Sequence, residues 1–94
     1  MQITDIKIRK IFNEGPMKAV ASVTFDDTLA VHDIKVIRTE ASGRYFLVMP
    51  SRKNAEGAFH DIVHPINNDF RQELERAVLE AYCVKLAAEQ EIKE

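Results

Sequence analysis

Arg52 and Lys53 stand side by side directly behind Met49-Pro50-Ser51, and they are the side chains best placed to act on another molecule. An apolar stretch ends at Pro50, and the polar segment after it turns at Asn54 to Gly57. This pattern predicts an exposed loop at the tip of a rigid support, where two cations can meet a polyanion such as a nucleic-acid backbone. A charge pair in a loop is also ordinary solvated surface, so the pair alone leaves both readings open. Ser51 adjoins it, and Arg9, Lys10 and Arg71 are the cations that would extend the patch. The candidate nucleic-acid contact set is therefore Ser51, Arg52, Lys53, Arg9, Lys10 and Arg71.

The other chemistry-bearing residues point to no reaction. His60, Asp61 and His64 invite a metal, but on a strand rising ~3.3 Å per residue the two histidines stand ~13 Å apart. Zinc needs each ligand within ~2.1 Å, so only a sharp turn before Pro65 could join them. The simpler reading makes them strand-end and turn residues, with His64 orienting the approach to the following helix. His32 and Asp33 are neighbours on a strand and face opposite ways, so they cannot form a base and its orienting partner. His32 is expected to make a structural hydrogen bond within the sheet; Asp61 and His60 are candidate partners. Cys83 has no basic setting to activate it and reads as an inert, partly buried residue. Ser51 has no evident base. The chain lacks a glycine-rich phosphate loop, a nucleophile elbow and zinc-finger spacing. The expectation is a protein that is not an enzyme and carries no cofactor and no metal.

The elements that must position these residues are legible from periodicity. Gln2 to Phe12 reads as a strand with Ile6, Ile8 and Phe12 on one face and Asp5, Lys7 and Arg9 on the other. Asn13 to Pro16 is a turn. Met17 to Phe25 alternates cleanly, with Met17, Ala19, Ala21, Val23 and Phe25 on one side. Asp26-Asp27-Thr28 connects it to a third strand over Leu29 to Ile37, giving an antiparallel meander. Tyr45 to Met49 is apolar on both faces, as in a strand covered on both sides or lying in an interface; Tyr45 and Phe46 read as core, leaving no exposed aromatic platform. Ala58 to Val63 reads as a short fifth strand. Asn67, Asn68 and Asp69 can each cap the next element, and Asp69 with Gln72 has capping-box spacing. From about Asp69 a helix carries apolar residues at 70, 74, 77, 78, 81 and 82. Glu89 to Glu94 reads as a frayed, solvated end.

Composition bounds the rest. Ninety-four residues, 46% of them hydrophobic, make one domain, divided here as a single α+β unit over 1–85 and a helix end or acidic tail over 86–94. No apolar run approaches the ~20 residues a membrane span needs, and the alternating, charged N-terminus does not read as a signal peptide. A single cysteine cannot form an internal disulfide, and a reducing cytoplasm is the simplest compartment. The net charge of −2 excludes a polybasic nucleic-acid coat, so anion binding must come from a local patch. One helix covers one face of a four- or five-stranded sheet and leaves the other face and two edges open. A homodimer is the economical remedy.

Several segments in fixed order carry a resemblance. They are Ile3-Thr4-Asp5-Ile6, Val31 to Ile37 (VHDIKVI), Val48 to Lys53 (VMPSRK), Gly57 to Ile62 (GAFHDI), and His64-Pro65-Ile66-Asn67 followed by Arg71. With them the chain resembles the stage V sporulation protein G family, the small bacterial septation regulators, from Met1 to about Tyr82. The resemblance implies an antiparallel sheet packed on a C-terminal helix, a dimer, and a regulator that binds DNA and RNA and is linked to septum formation, sporulation and virulence or envelope genes. The family's basic contact motif follows Met-Pro-Ser and falls on Arg52 and Lys53, here in Arg-Lys order where Lys-Arg is more usual. Arg and Lys are not equivalent in bidentate contacts, so target preference is expected to differ. The family's following Thr-Pro-Asp-Gly is Asn54-Ala55-Glu56-Gly57 here; without the proline a looser loop is expected. The reading is a cytoplasmic homodimer that regulates division or developmental genes through nucleic acid. Its alternative is a protein-interaction module in septation that binds none.

Overall fold

A computed structural model of the protein describes the backbone of residues 1–92 and the side chains of residues 1–88. Six strands precede one helix: β1 (Ile3–Ile11), β2 (Met17–Phe25), β3 (Leu29–Arg38), β4 (Tyr45–Val48), β5 (Ser51–Lys53), β6 (Phe59–Asp61) and α1 (Asn68–Ile92). The first four form an antiparallel sheet in the order β1-β2-β3-β4. β5 and β6 form a separate two-stranded ribbon. The architecture is α+β, with α1 lying across one face of the larger sheet against β1, β2 and β4.

The core lies between that face and the helix. β2 supplies Ala19, Ala21, Val23 and Phe25; β3 supplies Val31, Ile34 and Val36; Leu47 and Met49 come from β4 and its end. Leu74, Val78 and Tyr82 meet them from α1, with Phe70 packed alongside. Spaced by four, these four residues lie along one side of a helix of 3.6 residues per turn. The two alanines at the sheet centre leave room for the larger side chains of the helix.

Bulges decide which side chains face inward. β1 carries one extra residue between Ile3 and Asp5 and another between Ile8 and Lys10. The side of β1 that meets the core is therefore Ile3, Ile6, Ile8 and Ile11, and the expected place of Phe12 is taken by Ile11. β2 has an extra residue at Lys18, and β3 has one at His32-Asp33, where Asp33 adopts a φ of 62°. Each bulge resets the two-residue alternation, so Val31 and Ile34, three apart, both point to the core.

Four expectations need correction. Residues 58–63 add no fifth strand to the main sheet; β6 is shorter and pairs with β5, which the sequence assigned to a loop. Three polar residues such as Ser51-Arg52-Lys53 carry no alternation by which a strand could be seen. Tyr45 and Phe46 are not core: Leu47 takes the buried position of β4, and both aromatics are exposed. Asp69 and Gln72 form no capping box; Asn67 is the cap, its Oδ1 accepting from the Phe70 amide at 2.7 Å. Asp69 instead sits in the first turn, where its charge complements the helix dipole. Cys83 is exposed rather than partly buried. The expected solvated end at 89–94 falls on side chains outside the described residues.

Candidate nucleic-acid interface

β5 and β6 place the cation pair. Ser51 is opposite Asp61, Arg52 opposite His60 and Lys53 opposite Phe59. Arg52 and Lys53 are successive strand residues and so leave the ribbon on opposite faces, both exposed. They border an open depression of about 410 Å³ that Asn54, His60 and Asp61 complete. The Ile62 amide donates to the Pro50 carbonyl at 2.7 Å and closes the base of the ribbon.

The turn at the tip is fastened by Asn54. Its amide donates to the Ala58 carbonyl at 2.8 Å, and the Gly57 amide donates back to the Asn54 carbonyl at 3.1 Å. The Asn54 Oδ1 accepts from the amides of Glu56 at 2.9 Å and Ala58 at 3.0 Å. Two backbone bonds to one side-chain oxygen hold this proline-free turn. With Oδ1 so engaged, Nδ2 is the donor toward His60 Nε2 at 2.9 Å. His60 therefore serves the ribbon, tying the turn to the residue opposite Arg52. Gly57 has a φ of 88°, which a side chain would strain.

The remaining candidates lie elsewhere. Arg9 and Lys10 belong to β1, on the sheet face away from α1. Arg9 Nε donates to Ser22 Oγ at 3.2 Å, and Ser22 Oγ is 2.9 Å from His32 Nδ1. Ser22 is thus the partner of His32, in place of Asp61 or His60. Lys10 places its ammonium 5.0 Å from the centre of the Phe12 ring. Arg71 is half-buried in the first turns of α1, on the other side of the sheet. The fold gathers Ser51, Arg52 and Lys53 on one ribbon, Arg9 and Lys10 on the open sheet face, and Arg71 with neither group. His64 Nδ1 donates to the Pro65 carbonyl at 3.0 Å and shapes the approach to α1.

Sequence reasoning missed several residues beside these. Phe59, Ile62 and Ile66 are 69%, 69% and 92% exposed, an apolar run from the ribbon to the helix. An open cleft of about 310 Å³ adjoins it, lined in part by Leu29, Met49, Val63 and Ile66. The signal was available in the apolar residues of 59–66, which have no helix or second sheet to cover them. Phe46 could have been found from Leu47: once one is buried, strand alternation turns the other outward. No helix among the described residues is long and apolar enough to cross a membrane.

Comparison with known proteins places the chain in a family. Residues 1–84 match the family model for SpoVG, which covers the sheet, the ribbon and most of the helix. A protein of Caldicellulosiruptor saccharolyticus is 53% identical over 88 residues, 94% of this chain and 98% of its own length. One from Caldanaerobacter subterraneus subsp. tengcongensis is 57% identical over 82 residues, 87% of this chain and 88% of its own. One from Thermoanaerobacter sp. strain X514 is 55% identical over 91 residues, 97% and 95% of the two chains. All three bear the name "Putative septation protein SpoVG". On the extent of the match and the level of identity, the chain belongs to the SpoVG family.

Proposed function

We propose that the protein is a nucleic-acid-binding regulator of the septation type, and that it binds as a homodimer through the ribbon bearing Arg52 and Lys53. The observation that carries this reading is the placing of two exposed, adjacent cations on a ribbon braced by Asn54. Phosphate contacts from such a support supply affinity and fix orientation without reading bases. Work in septation is what the names of the relatives suggest, and a cytoplasmic setting accords with it.

The dimer is supported by the apolar run at Phe59, Ile62 and Ile66 beside the ribbon. Exposed apolar surface of this kind marks a contact, and a second copy covering it would set two ribbons in fixed relation. That spacing, rather than the cations themselves, would supply site preference. The same apolar run favours the second reading, a protein-interaction module of septation without nucleic acid. The two differ in their response to salt, because phosphate contacts release counterions and an apolar interface does not.

Fluorescence anisotropy of the protein with short duplex DNA and single-stranded RNA, over a salt series, tests the reading. Binding should weaken steeply with salt and be lost in the Arg52→Ala/Lys53→Ala variant while fold and association state persist. Binding indifferent to that variant would remove the ribbon as the contact. No binding to either polymer would favour the protein-interaction module.

A further inference from the structure

The sheet face turned away from α1 is a surface the ribbon reading leaves unused, and register shows what it carries. Lys10, Val20, Lys35 and Val48 lie in one row across all four strands, and Met17, Ile37 and Phe46 lie in the next. Lys7 stands opposite Ser22, toward which Arg9 and His32 also reach. Lys7, Arg9, Lys10 and Lys35 are all exposed. The valines and Ile37 between them are half-buried, and Phe46 is 36% exposed. The face thus combines an apolar strip ending in an aromatic ring with a group of cations.

We propose that this open face is a platform for single-stranded nucleic acid, with Lys7, Arg9, Lys10 and Lys35 meeting phosphates and Phe46 stacking on a base. The proposal rests on the nucleic-acid reading above and adds to it a second surface and a substrate class. Charge complementarity selects the occupant. Among the described residues Asp5, Asp33 in the bulge and Glu80, which shares a groove with Lys7 and Arg9, offset the cations only in part, so a second copy laid on this face would set like charges against like. A polyanion relieves that repulsion. The aromatic then selects the form of the polyanion. In a duplex the bases are stacked on one another and their faces are closed to Phe46, whereas a single strand can splay a base onto the ring. RNA and single-stranded DNA share this chemistry and differ in the 2′-hydroxyl.

The test uses the full chain, labelled 12-mers of single-stranded RNA and DNA, and a matched duplex. The chain has no tryptophan, so Phe46→Trp introduces a lone indole reporter. Its fluorescence should be quenched by either single strand and much less by the duplex. Lys10→Glu/Lys35→Glu, at two exposed positions, should weaken single-strand binding by at least about tenfold and leave duplex affinity within about twofold. Circular dichroism and the melting midpoint would confirm that both variants fold.

An unquenched indole, or single-strand affinity unmoved by the charge reversal, overturns the platform. So does a reversal whose main effect is a changed sedimentation coefficient, which would make the face a contact between copies. Duplex binding without single-strand binding sinks the platform and leaves the ribbon. Single-strand binding that depends on Lys10 and Lys35 but not on Arg52 and Lys53 does the reverse. Different affinities for the two 12-mers would identify the preferred sugar.

Discussion

The two sheets of this protein are built on opposite terms. In the larger one, Ala19, Ala21, Val23, Ile34 and Val36 are wholly enclosed and a long helix closes over them. In the ribbon, strands of three residues pair with one another, and everything from Arg52 to His64 is exposed. An isolated two-stranded ribbon is marginal in water. This one is held by its closing bond at Pro50, its short ladder and the side chain of Asn54. The difference separates what holds the fold from what is offered at the surface: the sheet and helix enclose the buried side chains, and the ribbon carries exposed ones.

The largest effect expected from that separation is on the helix side. Leu74→Ala removes a side chain that is 1% exposed and should cost about 2–5 kcal/mol in urea unfolding. A loss below 1 kcal/mol would mean that the helix is not the lid of the core. A second effect, at high pH, belongs to Tyr82. Burial pushes its phenol above the ordinary value of 10, Tyr45 and Cys83 add to the rise, and Arg38 opposes it. The unfolded chain then releases this proton before the folded one, so the unfolded state binds fewer protons above that value. The contribution to stability is full below pH 10 and is lost as pH rises through the raised folded value. Tyr82→Phe should flatten the alkaline fall in melting midpoint; an equal fall in both proteins would assign it to other groups.

Smaller effects are expected in the ribbon. Asn54→Ala removes two backbone partners and should cost the turn about 1 kcal/mol. Hydrogen exchange at Glu56 and Ala58 should speed up while the global midpoint holds. A fall in the global midpoint would show that the ribbon and the core unfold as one unit. Smallest of all, Phe59→Ser should shift the stability of the isolated chain by no more than about 0.5 kcal/mol, since the ring is exposed. It should nonetheless weaken self-association in sedimentation, and unchanged association would move the dimer contact away from this run.

The same division explains what could be read from the sequence. Clean alternation in Met17–Phe25 and a stripe at 70, 74, 78 and 82 made β2 and α1 plain, because a buried face imposes its period on the chain. Bulges broke the reading in β1 and β3, and in β2 the one at Lys18 turns Met17 away from the side of Ala19 where alternation had put it. An inserted residue changes which side chains face inward without changing composition, so Ile11 and Phe12 could not be told apart by counting twos. The ribbon was harder still, since no buried face imposes a period on Ser51-Arg52-Lys53. There Arg52 and Lys53 stood out from Pro50 and the polar turn behind them, and the resemblance added a contact role, while the bracing by Asn54 and His60 depended on a pairing of β5 with β6 that the sequence did not reveal.

The bulges of β1 have a consequence for life at high concentration. An exposed edge strand offers a template on which other chains can lengthen the sheet into an aggregate. β1 is such an edge and is nine residues long, but it is interrupted twice. None of the three stretches left between the interruptions is long, and Asp5, Lys7 and Lys10 put exposed charges along the strand. The opposite edge, β4, is only four residues long. The protein is thus guarded against runaway sheet growth by irregularity on one side and brevity on the other.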